Sequence, residues 1–417
     1  MKQTAFFCRG ALSPPKAPRG EEYFSSDTGR IVLYPFLSGE TSMKVLSVFG
    51  TRPEAVKMCP LIRELARCGA LQSEVCLTSQ HRELLYSVTD LFGVKADYDL
   101  ALMKERQSLG DIFCGVLRGM DGVLERARPD LVLVHGDTST SCAAALAAFY
   151  RKIPVGHVEA GLRSFCRYSP FPEEMNRRLT ASLATLHFAP TARSARNLRG
   201  EGVREHVYVT GNTVIDALRT TVRSDYCFRE AALRGGALFD GPCILLTAHR
   251  RENLPEGLVS ICRAVRRLLA DFPALHIVWP IHPNPAVREA ALPLLSGCGR
   301  LILTEPLDLL DMHNLMARCA FVMTDSGGLQ EEAPALGVPV LVLRAETERP
   351  EAVEAGCVRL VGTEEEKVYR AAALLLSDES EREKMARAVS PYGDGHASER
   401  IAAHIEAFLR AGQEEAG

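Results

Sequence analysis

The sequence lacks a surplus of charge of either sign. Its 49 Lys and Arg residues nearly balance 52 Asp and Glu residues, which leaves a formal net charge of −3 over 417 residues. A chain with this balance has no broad electrostatic field that would attract nucleic acid or an anionic membrane surface. We therefore expect neither partner, and an anionic ligand must be held by a local cluster of cations or backbone N–H groups.

Long apolar runs and a regular cysteine pattern are also missing. No stretch approaches the roughly 18 apolar residues that span a bilayer, and the short apolar run near the N-terminus is interrupted at Arg9, which argues against a signal peptide. The 13 cysteines contain no C-x-x-C pair, and their odd number disfavours a disulfide framework. These features predict a soluble, cytoplasmic protein without a structural metal site.

Motifs for cofactors or metals are absent or weak. No G-x-G-x-x-G follows an apolar run, so a tightly held nicotinamide cofactor has no support, and no P-loop is present. The sequence Asp-Tyr-Asp at 97–99 could hold a metal diphosphate, but we interpret it as a loop turn before the next helix. The sequence therefore predicts no bound metal.

The alternation of short apolar runs and amphipathic segments from residue 43 onward predicts an α/β protein. This pattern is typical of βαβ units around a parallel sheet, and 47% hydrophobic residues can fill two cores. Strands are predicted at 45–49, 74–78, 131–134, 155–158 and 186–189, and then at 244–247, 276–279, 301–304, 321–324 and 338–343. We expect two Rossmann-like domains, one of residues 43–212 joined by a returning C-terminal helix within 393–417, and one of residues 213–392.

The first 42 residues do not share this pattern. They are rich in Pro, Ser and Gly, and only residues 31–37 have the composition of a strand. We expect a poorly ordered N-terminal extension there, and Met43, directly before the first strong strand, is a candidate functional start.

The segment 321–349 carries the clearest sign of a ligand. A predicted strand ends at Thr324, the small-residue turn 325–328 (DSGG) follows, and a helical pattern begins next. Glycines let the backbone approach a ligand closely, and the N–H groups at a helix N-terminus attract anions. The turn therefore predicts a phosphate cradle, with Glu332 one turn later accepting hydrogen bonds from sugar hydroxyls. A helix capped by Ser326 without a ligand is the alternative interpretation.

Polar side chains follow most of the other predicted strands. Ligands of open α/β sheets bind beyond the carboxyl ends of the strands, so two such sets are expected to face each other across an interdomain cleft. Each residue alone could instead be an ordinary helix-start or strand-end residue. The first domain contributes Arg52, Glu54, Gln80, His81, Arg82, Asp137 and Glu159, and the second contributes His249, Arg250, Arg251, Glu252, His282 and Arg349.

Short sequence blocks in both halves match one enzyme family in order. The first half contains VFGTRPEAVKM, TSQHRE, LVHGDTSTS, GHVEAGLRS and SPFPEEMNR, and the second contains TGNTVIDAL, TAHRREN, HPNPAVRE, TDSGGLQEEAP and TERPEAV. In these blocks the chain resembles the non-hydrolysing UDP-N-acetylglucosamine 2-epimerases. The resemblance implies the GT-B fold, a homodimer, no cofactor, and reversible conversion of UDP-N-acetylglucosamine to UDP-N-acetylmannosamine for surface polysaccharide synthesis.

The resemblance also implies roles for individual residues. The acid and base group around C1 and C2 of the sugar comprises Asp137, Glu159 and Glu173, with His249 near the diphosphate, and the resemblance leaves open which carboxylate performs which step. The expected substrate contacts are Arg52 and Lys57 to phosphate, Ser326, Gly327 and Gly328 as the diphosphate cradle, Glu332 to ribose, Arg349, and Met312 against uracil, where the family often has an aromatic residue. A second UDP-N-acetylglucosamine, bound as an allosteric activator, would contact Gln80, His81, Glu83, Arg106, Glu174 and His282.

The implied reaction makes chemical sense of these residue types. The C2 hydrogen is not next to a carbonyl and is too weakly acidic for direct removal. Cleavage of the C1–O bond to UDP places positive charge at C1, and this charge makes the C2 hydrogen more acidic. The resulting glycal can take up a proton on the other face and then UDP, which requires carboxylates near the sugar and cations near the diphosphate. The alternatives are an epimerase of another UDP-2-acetamido sugar, a hydrolysing epimerase, a GT-B glycosyltransferase, and a non-catalytic nucleotide-sugar sensor.

Overall fold

Two parallel sheets organise the part of the chain that the structure describes. The structure is a computed structural model, and it describes residues 42–79, 82–102 and 107–416. Except for Ser42, the predicted N-terminal extension, including the candidate strand at 31–37, lies outside the described residues. The strands of the first sheet are β1 (Met43–Phe49), β2 (Leu71–Leu77), β3 (Tyr98–Asp99), β4 (Leu131–His135), β5 (Val155–Val158), β6 (Leu186–Ala189) and β7 (Val207–Val209).

The second sheet follows in sequence, and both sheets are doubly wound. Its strands are β8 (Cys243–Thr247), β9 (His276–Pro280), β10 (Leu301–Thr304), β11 (Phe321–Thr324), β12 (Val340–Val342) and β13 (Val358–Leu360). The strand orders are β3-β2-β1-β4-β5-β6-β7 and β10-β9-β8-β11-β12-β13, and the paired strands run parallel. In each sheet the order reverses beside the first strand, which is where such folds bind ligands. The predicted α/β class with two parallel sheets is confirmed.

Helices cover both faces of the sheets. In the first half they are α1 (Arg52–Arg67), α2 (Arg82–Phe92), α3 (Leu109–Ala127), α4 (Ser139–Tyr150), α5 (Glu173–Leu183) and α6 (Ala192–Gly200), followed by α7 (Thr213–Thr221). In the second half they are α8 (Glu256–Asp271), α9 (Pro285–Leu295), α10 (Leu309–Arg318), α11 (Leu329–Ala335), α12 (Pro350–Ala355), α13 (Glu365–Ser377), α14 (Glu379–Ala386) and α15 (Ala397–Ala416). Strands covered on both faces are buried along their length, as in β4 and β11.

The three strands that the sequence analysis missed all lie at sheet edges. They are β3, β7 and β13, each two or three residues long and partly exposed. Edge strands bury less surface and carry no long apolar run. The predicted loop turn at 97–99 was therefore wrong, because Tyr98 and Asp99 pair with β2. The Asp97 carboxylate accepts a hydrogen bond from the Val75 N–H at 2.8 Å, and that of Asp99 accepts one from the Ser79 hydroxyl at 2.7 Å.

Helix α7 lies where the chain passes from the first sheet to the second. It packs on α1 from the first half and on α10 and α11 from the second. The C-terminal helix α15 returns to pack on α1 and α7, and its His404 ring stacks on Tyr208 of β7 at 3.8 Å. Elements from both halves thus meet around α7. Within the described ranges, no helix has a stretch long and apolar enough to cross a membrane.

Candidate functional site

The start of α1 follows β1 and brings Arg52 and Lys57 to the cleft edge. Thr51 caps the helix, and Glu54 completes a capping box. Glu54 is 2% exposed, and its carboxylate also accepts hydrogen bonds from Thr138 and Ser141 at 2.7 and 3.0 Å. Because these bonds tie α1 to α4, Glu54 has the structural role that the helix-start interpretation predicts.

Glu159 directly follows β5, and its carboxylate contacts residues of several other elements. Its φ of +61° places the residue in the left-handed region, a conformation that costs a non-glycine residue of order 1 kcal/mol or more. Its Oε2 forms an ion pair with the Lys57 ammonium, accepts a hydrogen bond from Asn212 Nδ2 at 2.8 Å, and lies 3.9 Å from Nε2 of His135. This residue is therefore held in one orientation by groups from three different elements.

The electrostatics of this pair favour the charged forms. Burial alone would raise the pKa of Glu159, but Lys57 and His135 outweigh it, and the pKa lies below its usual range. Burial alone would lower the pKa of Lys57, and here Glu159 and Glu331 outweigh it. Glu159 is therefore a carboxylate at neutral pH, which suits it to accept a proton rather than donate one.

Asp137, Glu173 and Glu174 are placed by β4 and α5. The Asp137 carboxylate lies 2.7 Å from Arg177 of α5, and its backbone C=O accepts a hydrogen bond from Asn176 at 2.9 Å. Oε2 of Glu173 is buried without a hydrogen-bond partner among the described residues, an arrangement that calls for a ligand or water. Glu174 is fully buried, and its carboxylate accepts hydrogen bonds from the backbone N–H groups of Ser164 and Phe165.

In the second half, Asp325 organises the loop that carries His249. Asp325 is fully buried, and its Oδ2 accepts hydrogen bonds from the backbone N–H groups of His249 and Arg250, both at 2.8 Å. Nδ1 of His249 lies 3.3 Å from Oδ1 of Asp325, and its ring stacks on that of His282 with centroids 5.2 Å apart. Burial lowers the pKa of His249, with Asp325 opposing the shift. Asp325 thus fixes the orientation of the His249 imidazole.

The predicted cradle forms a turn beside a partly buried cation, Arg349. Helix α11 begins with Gly328 as N-cap and no side-chain cap, so the alternative in which Ser326 caps it is wrong. A Cβ on Gly327 would lie 2.6 Å from Nη1 of Arg349, which explains glycine at this position. Arg349 is itself held by Glu331 and Glu348. The cradle therefore combines a helix N-terminus without a side-chain cap and the Arg349 guanidinium next to Gly327.

A cavity of about 280 Å³ joins many of the predicted substrate contacts. Its walls combine apolar and charged side chains, as a nucleotide site requires. Inside it, Glu332 lies 3.4 Å from Nε2 of His313, and Nδ1 of the same ring forms a hydrogen bond with the Thr221 hydroxyl at 2.7 Å. Burial would raise the pKa of Glu332, but His313 outweighs it and the pKa is lowered. The lining includes Arg52, Lys57, Val214, His249, His282, Pro306, Leu307, Met312, His313, Ser326 and Glu332.

The carboxylates Asp137, Glu159 and Glu173 do not line this cavity, although Lys57 connects Glu159 to it. A larger cavity of about 570 Å³ lies between the loop at 162–169 and the segment at 344–351. None of the predicted catalytic or substrate-binding residues lines it. Two of the predicted cations, Ser326 of the cradle and His249 therefore meet at the smaller cavity.

The structure describes only some of the residues that are predicted to contact an activator. Gln80, His81 and Arg106 lie outside the described residues, and so does the side chain of Glu83. His282 lines the cavity beside His249. The carboxylate of Glu174 is buried under the loop at 164–165 and contacts neither cavity in this conformation. The activator set stays a prediction.

Several site residues escaped the sequence analysis. Arg177, His135 and His313 each contact a predicted residue, and Asn212 and Glu331 connect the two halves. Asn212 and Glu331 lie inside quoted sequence blocks, TGNTVIDAL and TDSGGLQEEAP, but no spacing rule singled them out. Membership of a block was the only available signal.

Comparisons with known proteins agree on one family. Residues 63–406 match the family described as UDP-N-acetylglucosamine 2-epimerase. The UDP-N-acetylglucosamine 2-epimerase of Bacillus subtilis is 52% identical over 360 residues, which are 86% of this chain and 94% of that protein. The epimerase structure from Neisseria meningitidis bound to UDP-GlcNAc is 48% identical, covers 88% of this chain and 100% of that one, and has a TM-score of 0.79. The S. aureus MnaA–UDP co-structure is 46% identical, covers 88% and 97%, and has a TM-score of 0.80.

Proposed function

Because this chain belongs to the UDP-N-acetylglucosamine 2-epimerase family, we propose that it interconverts UDP-N-acetylglucosamine and UDP-N-acetylmannosamine by eliminating and re-adding UDP. The observation that carries this proposal is the contact between Lys57, which lines the nucleotide-sized cavity, and the ionised, buried Glu159. A proton acceptor and a leaving-group site are thereby adjacent, as the elimination needs.

The cavity suggests how UDP is held. The apolar side chains of Met312, Pro306 and Leu307 on its wall suit the uracil base. Glu332, held as a carboxylate beside His313, can accept hydrogen bonds from ribose hydroxyls. The diphosphate then lies toward Arg52 and the cradle of Ser326, Gly327 and Gly328, above Arg349. Cations placed there stabilise the charge that develops on UDP as the C1–O bond breaks.

The carboxylates are proposed to handle the proton at C2. Glu159 is ionised and suits the role of acceptor, while Asp137 and Glu173 are the other candidates for returning a proton on the opposite face. Lys57 can exchange its bond to Glu159 for one to the incoming diphosphate, which would raise the basicity of Glu159 as substrate binds. His249 lies at the cradle and can protonate the departing UDP or receive a proton from it.

Deuterium exchange tests the reaction directly. Purified protein incubated with UDP-N-acetylglucosamine in deuterated water should place deuterium at C2 and form the manno epimer, both followed by NMR. The Glu159→Gln variant should bind UDP and show neither change. No exchange and no epimer from the parent would refute the proposal. Accumulation of UDP and free N-acetylmannosamine would indicate a hydrolysing epimerase. Turnover of only another UDP-2-acetamido sugar would identify that compound as the substrate.

The remaining expectations from the family are also proposals. They are a cytoplasmic homodimer, supply of N-acetylmannosamine units for surface polysaccharide, and activation by a second UDP-N-acetylglucosamine. The position of His282 on the cavity wall supports the last of these. Light scattering would measure the oligomeric state. Activation predicts that added UDP-N-acetylglucosamine raises the initial rate from UDP-N-acetylmannosamine, whereas simple competition between the two substrates would lower it.

A further inference from the structure

Asn212 lies at the point where the chain leaves the first sheet, and both amide N–H groups and the amide oxygen of its side chain form hydrogen bonds. It is 3% exposed and is the N-cap of α7, with Oδ1 accepting a hydrogen bond from the Val214 N–H at 3.1 Å. Its Nδ2 donates to Oε2 of Glu159 at 2.8 Å and to Oε2 of Glu331 at 2.9 Å. One amide group therefore joins a carboxylate of the first half to a carboxylate of the second.

The two carboxylates contact residues in different parts of the proposed site. Glu159 pairs with Lys57 beside the reacting sugar. Glu331 is 1% exposed, and its Oε1 accepts a hydrogen bond from Nε of Arg349, the guanidinium under Gly327 in the cradle. The contacts Lys57–Glu159–Asn212–Glu331–Arg349 thus form a continuous chain from the proposed base to the diphosphate cradle.

Simple electrostatics explains why an asparagine is suited to the middle of this chain. Two buried carboxylates repel each other, and each needs donors to replace the water it has lost. The amide supplies one N–H to each without adding charge, and each carboxylate also contacts one cation, Lys57 for Glu159 and Arg349 for Glu331. Aspartate would add a third negative charge and no donor, and serine would supply only one donor.

We propose that Asn212 is a positioning residue that holds Glu159 and, through Glu331, Arg349 in a fixed relation across the two halves. The proposal rests on the epimerase function proposed above. Elimination and re-addition require the base and the leaving-group site to keep their geometry while UDP is detached from the sugar. A misplacement of about 1 Å can reduce such a rate by about a hundredfold.

The test separates bridging from helix capping. Asn212→Ser and Asn212→Asp both keep an N-cap oxygen for α7, so in each variant the helix stays capped while the bridge between the two carboxylates is lost. Circular dichroism and the Tm identify the variants that fold. We expect kcat to fall by at least about tenfold in the serine variant and further in the aspartate variant, by a larger factor than KM rises. Deuterium exchange at C2 should fall in parallel with kcat.

Asn314 provides a matched control. It is 1% exposed, and its side chain also makes three hydrogen bonds near α7, to Thr221, Leu310 and Arg223, but it contacts no carboxylate of the site. Asn314→Ala should lower Tm and leave kcat within about twofold of the parent. Glu331→Gln is a nearly isosteric variant of the same chain of contacts and should lower kcat even if both Asn212 variants fail to fold.

Each outcome decides the matter. The inference fails if a folded Asn212 variant, or Glu331→Gln, epimerises at the parent rate, or if Asn314→Ala loses as much kcat as the Asn212 variants. If the parent itself shows no epimerisation, the proposed function fails first, and the affinity for UDP then tests the contact between Asn212 and the cradle. In that case Asn212→Asp should weaken UDP binding by several-fold, and unchanged binding would overturn the inference.

Discussion

At the scale of single residues, the site depends on charges that are buried only because they are paired. Lys57 and Glu159 have side chains that are 14% and 8% exposed. Removing one member of such a pair leaves the other charge in a poorly solvated position. Substitutions at this pair should therefore change both the stability of the fold and the rate of catalysis.

Lys57→Met is expected to destabilise the fold by about 3–5 kcal/mol, because Glu159 loses the ammonium that offsets its burial. The pKa of Glu159 should rise for the same reason, since burial raises it and Lys57 opposes that effect. A base must be deprotonated to act, so the acidic limb of kcat/KM should move to higher pH. Urea unfolding and a pH–rate profile measure the two effects.

The double variant Lys57→Met/Glu159→Gln provides the control for this prediction. It removes both charges and should recover much of the lost stability, because no unpaired charge remains. It should stay inactive, since the proposed proton acceptor is gone. Recovery of activity in the double variant, or unchanged stability of Lys57→Met, would show that the pair does not act as described.

At the scale of elements, the sequence predicted the central strands well and the edges poorly. β5, β6 and β11 have the predicted bounds, because they are central strands whose apolar runs are buried along their length. The edge strand β10 also has the predicted bounds, since its apolar run is longer than those of the other edge strands. The strand predicted at 338–343 is shorter, Val340–Val342. Edge strands such as β3 depend on pairing with a neighbour that lies about twenty residues away, and local composition does not record that pairing.

The junction of α7 and α15 supports a second prediction. Asp216 of α7 is 7% exposed and accepts hydrogen bonds from the N–H groups of Ala397 and Ser398 at 3.2 and 2.7 Å. A carboxylate at a helix N-terminus satisfies free donors and interacts favourably with the helix dipole. Asp216→Ala should therefore lower the free energy of unfolding by about 1–2 kcal/mol and increase hydrogen exchange in the first turn of α15.

Asp216→Asn is the companion variant, because it keeps an accepting oxygen but no charge. Its loss of stability should be smaller than that of the alanine variant. Equal exchange rates in α15 for the parent and Asp216→Ala, measured by mass spectrometry, would contradict the anchoring role. Kinetic constants should change little, since Asp216 contacts none of the proposed catalytic residues.

At the scale of the whole molecule, the site arises from the meeting of two halves, and this limited what the sequence could predict. Residues after central strands, such as Asp137, Glu159 and His249, were predictable because parallel strands end at the same edge of a sheet. The contacts of Asn212 with Glu331, 119 positions away, depend on how α7 and α11 pack. No periodicity within either element specifies that packing.

The first sheet also gives the whole molecule a defined response to acid. His157 of β5 and His187 of β6 are register partners in neighbouring strands, and both are buried. Burial lowers the pKa of His157 to about 3 and that of His187 to about 4. Both side chains are therefore neutral in the folded protein at pH 5, whereas in the unfolded chain a histidine titrates near pH 6.5.

Between about pH 6.5 and pH 4 the unfolded chain thus binds protons that the folded protein does not. The free energy of unfolding should therefore fall as the pH falls, by up to about 1.4 kcal/mol per pH unit for each histidine. Urea unfolding at pH 7.5, 6.0 and 5.0 measures this slope. His157→Gln can still donate to the C=O of Gly136, which Nε2 of His157 contacts at 2.7 Å, and should reduce the slope by about one proton. An identical slope in this variant would show that His157 is not buried in its neutral form.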